Sequence, residues 1–306
     1  MKSIVPSLRK AILTLWIAVS AAFFLARLTG DPARMVAGEF ATPESIAQVR
    51  TALGLDEPLW RQYVEYLWLL VRGDLGQSLQ YDTANLELIL ERFPSSAKLA
   101  VAALILAGLV GVPLGMFAAA HNGRLLDRLI SSVAILGQSM PQFWIGLILI
   151  WVFATGLGWF PAGQAREPAS IVLPAVTLAT LLLAQIARLA RSSLAAVLEE
   201  DYILSATARG IPRRSVLWRH ALRNAALPIV TIIGLQVGAL LSGAVTVEAV
   251  FAWPGLGSLT TQAVSATDFQ LVQALVVVGA LVFVVVNLCV DLLYRVLDPR
   301  LRVGQT

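Results

Sequence analysis

Residues 199–228 read EEDYILSATARGIPRRSVLWRHALRNAALP, a polar and strongly basic stretch between two long apolar segments. Most connections between membrane helices are short and only join them. This one holds two helix-compatible stretches that meet at Gly210-Ile211-Pro212. Glycine takes the left-handed conformation that closes a helix, and proline suits the first turn of the next, so Gly210 is expected at C′ and Pro212 at a new start. A folded, cationic elbow on one membrane face reads as a docking surface for another protein.

The flanking composition sets the class. The chain has 306 residues, 58% hydrophobic and 14% charged, with a mean hydropathy of +0.76. A soluble domain is about a quarter charged, so this is an integral membrane protein. A pI near 9.6 would also suit a nucleic-acid partner. The positive charge is instead sorted by topology, and no nucleic acid is expected.

Six apolar segments reach the roughly 20 residues that a bilayer requires: Leu8–Leu28, Ala97–Ala120, Leu129–Trp151, Ile171–Leu189, Leu227–Val250 and Leu271–Leu293. The first follows Lys2, Arg9 and Lys10; its long apolar run without a cleavage site favours a signal anchor over a cleaved signal peptide. With six spans, both termini, Arg124 and Arg128, the basic elbow, and Arg295, Arg300 and Arg302 fall on one side, while the opposite short loops carry only Arg166. That side is expected to be cytoplasmic. The sequence therefore predicts an all-α, polytopic membrane protein. Residues 1–94 hold the first span and an external helical loop, and residues 95–306 hold five helices with a cytoplasmic loop at 192–227.

In the external loop, Thr42-Pro43 starts a helix that Gly54 can end, and a second is expected over Pro58–Arg72. Leu59, Tyr63, Leu67 and Leu70 share one face there, widened by Trp60, Tyr66 and Trp68. That face suits either a soluble partner or a helix lying on the membrane or on its neighbours. Within the spans, Gly111/Gly115 and Gly234/Gly238 are small-xxx-small pairs that let helices approach closely. Pro113 and Pro141 favour kinks.

Polar residues at membrane depth are few. Gln138, Gln142, Gln185, Gln236 and Ser242 are candidates for a translocation pathway. Asp291 and Arg295, four apart, read as a local ion pair rather than a proton relay. The single cysteine, Cys289, allows no disulfide within the chain, and His121 and His220 stand too far apart to suggest a metal site. No phosphate-binding Gly-x-x-x-x-Gly-Lys motif, no Gly-x-Ser-x-Gly elbow and no His-Glu-x-x-His pair occurs, so neither ATP binding by that route nor hydrolase chemistry is expected. Energy must come from an ion gradient or from a partner. Scarce intramembrane acids argue against the gradient, and the elbow argues for the partner.

Several stretches together resemble the B-type membrane permease subunits of bacterial ABC importers for dipeptides, oligopeptides and related solutes. They are Asp201-Tyr202-Ile203 with Ala206, Ala208 and Gly210; His220-Ala221-Leu222-Arg223-Asn224 to Pro228; Val247-Glu248 through Trp253-Pro254-Gly255-Leu256-Gly257; Gly73-Asp74-Leu75-Gly76-Gln77-Ser78; and Asp291-Leu292-Leu293-Tyr294 with Asp298-Pro299-Arg300. The general importer elbow begins Glu-Ala-Ala, where this chain has Leu204, Ser205 and Ala206. Thr207 and Arg209 stand where the family often has Arg and Lys.

The resemblance implies a type I ABC importer transmembrane domain in the bacterial inner membrane. Its implied partners are a second homologous permease subunit, two cytoplasmic ABC ATPase subunits, an extracytoplasmic solute-binding protein and membrane lipid. It implies no cofactor, no metal and no catalytic residue in this chain. Asp201, Tyr202, Ala206, Ala208, Gly210, Pro212, His220, Arg223 and Asn224 would form the ATPase-coupling elbow. Glu248, Trp253, Gly255 and Gly257 would shape the outer gate or a binding-protein contact, or simply a reentrant turn. Peptides are the implied solute, with nickel chelates or glutathione as alternatives. An ion-gradient-driven secondary transporter is the rival from another class; it would need coupling-ion sites and internal symmetry that the sequence does not display.

Overall fold

The computed structural model describes residues 4–29, 33, 37, 41–52 and 54–297, leaving out the side chains of 4–7, 28, 29, 52, 227, 231, 235, 237–239, 241–243 and 293–297. The described chain is built from helices and one two-residue hairpin. In order these are α1 (Ile4–Thr29), α2 (Pro43–Ala52), α3 (Leu59–Val71), β1 (Gln77–Ser78) paired antiparallel with β2 (Thr83–Ala84), α4 (Asn85–Ala120), α5 (Leu125–Ser139), α6 (Gln142–Leu149), α7 (Val172–Leu198), α8 (Asp201–Ala208), α9 (Leu222–Val250), α10 (Leu256–Ser265) and α11 (Phe269–Leu297). Packing divides the chain into two units, Met1–Pro94 with Gly255–Val285, and Ser95–Pro254 with Val286–Thr306.

Each expected apolar segment is helical, but four differ in detail. Among the described residues, four stretches are long and apolar enough to cross a bilayer alone: Leu8–Arg27, Asn85–Ala120, Pro168–Leu198 and Phe269–Leu292. The expected Ile171–Leu189 span continues to Leu198, and the one expected at Leu227 begins at Leu222 and runs through Pro228. The second expected span starts twelve residues early, because α4 runs on from the hairpin for 36 residues and passes Pro113 without interruption.

The third expected span, Leu129–Trp151, is not one kinked rod. It is two arms, Leu125–Ser139 and Gln142–Gly156, bent by 106°. The reason is local. A proline's Cδ crowds the preceding residue out of the helical region, and Met140 is extended at φ −88°, ψ 136° while Pro141 caps the second arm. That arm ends in a π-helical stretch, Ile150–Gly156.

In the first unit, α3 packs on α1. The Tyr63 and Tyr66 rings lie 5.2 and 5.4 Å from that of Phe23, which is fully buried. Ser20 Oγ meets the Tyr63 hydroxyl at 2.6 Å, and Arg27 donates to Gln62 Oε1 at 2.9 and 3.1 Å. Burial pushes the Tyr66 hydroxyl up to about 12, against the opposing pull of Arg27. The opposite face of α3 leaves Trp60, Val64, Trp68 and Val71 exposed. The Gly73–Ser78 motif is a folding hub. Asp74 Oδ1 accepts from Gly76 N–H at 2.8 Å, Asn85 Nδ2 donates to the Leu75 carbonyl at 2.9 Å, and Ser78 Oγ donates to the buried Asp268 at 2.5 Å. Asp268 also caps α11 by accepting from Leu271 N–H at 3.1 Å.

In the second unit, α7 carries most of the core, burying among others Leu178, Leu182, Ile186 and Leu194. It packs against α5, α6 and α9. The small-residue pair on α4 does what its spacing implies: a Cβ on Gly115 would lie 2.5 Å from the Ala187 carbonyl, and one on Gly111 would lie 3.0 Å from that of Leu183. Gly234 on α9 likewise faces Val290, whose methyl would sit 2.7 Å from an added Cβ. Cys289 on α11 is exposed.

Candidate functional site

The elbow is built from local backbone chemistry. Glu200 caps α8, and the acidic Asp201 stands in its first turn, where the helix dipole favours a negative charge. The helix ends in a paired closure. Gly210 N–H donates to the Thr207 carbonyl at 2.9 Å, and Ile211 N–H donates to the Ala206 carbonyl at 3.3 Å. This geometry requires a left-handed residue at C′, and Gly210 supplies it at φ +77°. Pro212 follows at φ −54° as the cap itself, one position earlier than the first helical turn, and its carbonyl accepts from Ser215 and Val216 at 2.8 and 3.1 Å. The second arm, Arg213–Ser215 and a π-helical Val216–Ala221, runs straight into α9.

The elbow is anchored inward and polar outward. Ile203, Ala206, Val216 and Ala221 are buried, and Ile211 packs against the same core. Asp201, Tyr202, Ala208, Gly210, Pro212, Arg223 and Asn224 are exposed, and His220 is half-buried. Tyr202 and Asn224 meet across the two arms, with Asn224 Nδ2 donating to the Tyr202 hydroxyl at 2.6 Å. Ala206 faces the core, where its small side chain lets α8 pack closely.

Two exposed apolar side chains on this surface were not among the expected site residues. Leu204 is 59% exposed and Trp218 is 52% exposed. Trp218 lines a cleft of about 600 Å³ with Pro212, Arg214 and Ser215. A tryptophan inside a run of arginines was the available signal, because an aromatic left in water among charges is most easily explained by a partner that covers it.

Two of the intramembrane glutamines flank the broken helix, and the other two lie on α7 and α9. Gln138 and Gln142 flank the Met140-Pro141 break. Gln138 Nε2 on α5 and Gln185 Oε1 on α7 are each buried without a hydrogen-bond partner among the described residues. Gln236 is half-buried on α9, and the side chain of Ser242 lies outside the described residues.

At the far end of α9, Glu248 is fully buried and accepts from Ser96 Oγ at 2.6 Å. Trp253, 5% exposed, donates from Nε1 to the Ser95 carbonyl at 3.0 Å. The adjacent serines on α4 were not singled out from sequence, since their partners are more than 150 residues away. The end of α9 closes as the elbow does, with Trp253 N–H on the Glu248 carbonyl at 2.8 Å, but its left-handed position holds Ala252 at φ +47°. Gly163 packs so closely on this end that a Cβ would lie 1.9 Å from the Phe251 carbonyl. Gly255 and Gly257 are buried where α10 begins, and Gly255 N–H donates to Ser258 Oγ at 3.1 Å. Of the Asp291–Arg295 pair, the arginine side chain is outside the described residues. No group of three metal-ligating side chains occurs among the described residues.

Two family models match the chain. "Binding-protein-dependent transport system inner membrane component" covers residues 111–303, and its N-terminal companion covers residues 1–100. The chain is 40% identical over 311 aligned residues to the dipeptide transport system permease protein DppB of Escherichia coli strain K12, covering 91% of this chain and 92% of that one. It is also 40% identical, over 286 residues, to the glutathione transport system permease protein GsiC of Salmonella typhimurium strain LT2, covering 94% of each. Among solved structures it is similar to the inward-facing MetNI methionine ABC transporter, with TM-score 0.58 and 18% identity over 70% of this chain and 97% of that one. A likeness at that identity speaks to the fold alone.

Proposed function

The chain belongs to the family of binding-protein-dependent transport system inner membrane components, and from that premise we propose that the elbow couples solute passage to a separate ATPase. The chain is a transport subunit of an ABC importer, and it is not an enzyme. On our reading, residues 1–94 supply the first span and an external loop, residues 95–306 supply the five-helix domain, and both termini are cytoplasmic. Two permease subunits, two ATPase subunits and an external binding protein make the working assembly. Residues 192–227 form the coupling loop.

The observation that carries this reading is the elbow itself: buried at Ile203 and Ala206, held by Gly210, and exposing Leu204 and Trp218. A segment made only to connect two spans has no reason to hold a fixed, partly apolar outer face. Closure of the ATPase dimer on ATP would displace the elbow as a lever, biasing the membrane helices between two packed states. Gln138, Gln142, Gln185, Gln236 and Ser242 would face the pathway. Two observations support this: the unpartnered amide atoms of Gln138 and Gln185, and the helix break beside Gln138 and Gln142, since interrupted helices at membrane depth are tolerated where they line a cavity. Glu248 and Trp253 are buried, which favours a gate role over direct contact with the binding protein.

For the solute we propose dipeptides or short oligopeptides. Glutathione, itself a tripeptide, is the second reading, favoured by the equal identity to a glutathione permease. The test is uptake of labelled dipeptides and glutathione into proteoliposomes holding this chain and its co-encoded subunits. Uptake that requires both ATP and the binding protein is the expected result. Uptake by this chain alone on an ion gradient would overturn the reading.

A further inference from the structure

A buried carboxylate at the base of the elbow is not used by anything described so far. Asp127, in the first turn of α5, is 3% exposed. It accepts from both Nε and Nη2 of Arg191 on α7, the latter at 2.7 Å, from Gly123 N–H at 3.0 Å and from Ser131 Oγ at 3.4 Å. Arg191 Nη2 also donates to Asn122 Oδ1 at 3.2 Å. The same short connection is held from the elbow: Arg213 donates through Nη2 to the carbonyl of Ala120, the last residue of α4. His121 Nδ1 lies 2.9 Å from the Phe117 carbonyl one turn earlier. Directly beneath Arg191, a Cβ on Gly115 would lie 2.9 Å from the Arg191 backbone nitrogen, so α4 and α7 meet backbone to backbone there.

We propose that Asp127, Arg191 and Arg213 are positioning residues for coupling: together they clamp the end of α4, the start of α5, the last turns of α7 and the elbow into one rigid body, so that a displaced elbow moves three membrane helices at once. The proposal rests on the coupling reading above. A buried ion pair contributes little stability compared with well-packed apolar groups, and its best-attested use is to fix one arrangement. Here the forked guanidinium and carboxylate fix orientation as well as distance. Arg213 adds a cation at the C-terminal end of α4, where the helix dipole and a free carbonyl favour it. The elbow is thereby tied at both arms. One arm is continuous with α7 through Glu199 and Glu200, and the other is bonded to the end of α4.

The test is the number of solute molecules imported per ATP hydrolysed, measured in the full assembly for Asp127→Asn, Arg191→Lys and Arg213→Gln. A merely structural role lowers the amount of folded protein and leaves that ratio unchanged. The clamp predicts a ratio lower by about tenfold in Asp127→Asn and Arg213→Gln, within the usual span of coupling effects. Arg191→Lys, which keeps the charge and loses the fork, falls between these variants and the parent. Arg213 is exposed and lies outside the buried core, so it decides the matter if Asp127→Asn inserts poorly. Ratios within twofold of the parent in both variants would overturn the proposal. Amide hydrogen exchange on the full chain in nanodiscs tests the clamp apart from transport. Arg213→Gln should speed exchange at 121–124 and at 209–216 together, and loosening confined to either segment alone refutes it, whatever becomes of the importer reading.

Discussion

Replacing Gly210 tests the elbow most directly, because nothing but backbone conformation resists the change. A Cβ built at Gly210 has no heavy atom within 4 Å, so no side chain would clash. The whole penalty comes from φ +77°. For an L-residue the left-handed region costs about 1–2 kcal/mol, which depopulates the native turn roughly 5- to 30-fold. A β-branched residue fares worse there than alanine. When the turn escapes to negative φ, it gives up the Gly210–Thr207 and Ile211–Ala206 bonds, each worth about 1 kcal/mol, and α8 no longer points in a fixed direction. Gly210→Val should therefore insert normally, since the buried anchors Ile203 and Val216 are untouched, and should hydrolyse ATP with little import. Gly210→Asn, which tolerates the left-handed region, should recover most of the import, with Gly210→Ala between them. The assay is import and ATP hydrolysis measured on the same proteoliposomes. Normal import per ATP in Gly210→Val refutes the lever. Reduced insertion with an unchanged ratio reduces Gly210 to a helix stop.

Trp218→Ala should weaken binding of the ATPase partner by about 2 kcal/mol, the scale of an interface anchor; unchanged affinity in a titration of purified subunits would remove Trp218 from the contact. Gly115→Ala forces α4 off the Ala187 carbonyl and should destabilise the protein by about 1–3 kcal/mol, read as a lower Tm in detergent, with an unaltered Tm contradicting the packing. Ala252→Gly should raise stability by about 0.5–1 kcal/mol, because it relieves a left-handed alanine while conceding some entropy in the unfolded chain; an equal or lower Tm would mean that φ +47° there carries no strain.

What the sequence made legible was whatever is encoded within a few residues. The elbow's turn follows from Gly210 and Pro212, and the external helices follow from the start at Thr42-Pro43, the stop at Gly54 and the start at Pro58. The proline at 141 was readable as a disturbance, but a proline alone does not say whether a helix kinks or breaks. Here it breaks because Met140 leaves the helical region for an extended conformation. What stayed hidden were partnerships at long sequence distance. Asp127 looks like an ordinary first-turn acid until Arg191, 64 residues on, is folded against it. Glu248 likewise looks like a motif residue with no physical role until Ser96 is brought to it. The exposed side of Trp218 was signalled only by its place among arginines, because period and composition do not tell which face of a short, partly π-helical arm is left to water.

The length of α4 bears on the lipid as well as on the protein. At 36 residues it is about 54 Å long, against a hydrocarbon layer of about 30 Å. Its first turns hold Glu87, Glu91 and Arg92 and belong outside that layer. The remaining 26 residues, from Ser95 to Ala120, still measure about 39 Å. A rod with that much surplus meets a thicker membrane by standing more upright and a thinner one by leaning over, at a cost of only fractions of a kcal/mol per Å. Lipids of different acyl length should therefore change the lean of α4 while leaving its helical hydrogen bonds intact, which gives the chain tolerance to variation in bilayer thickness.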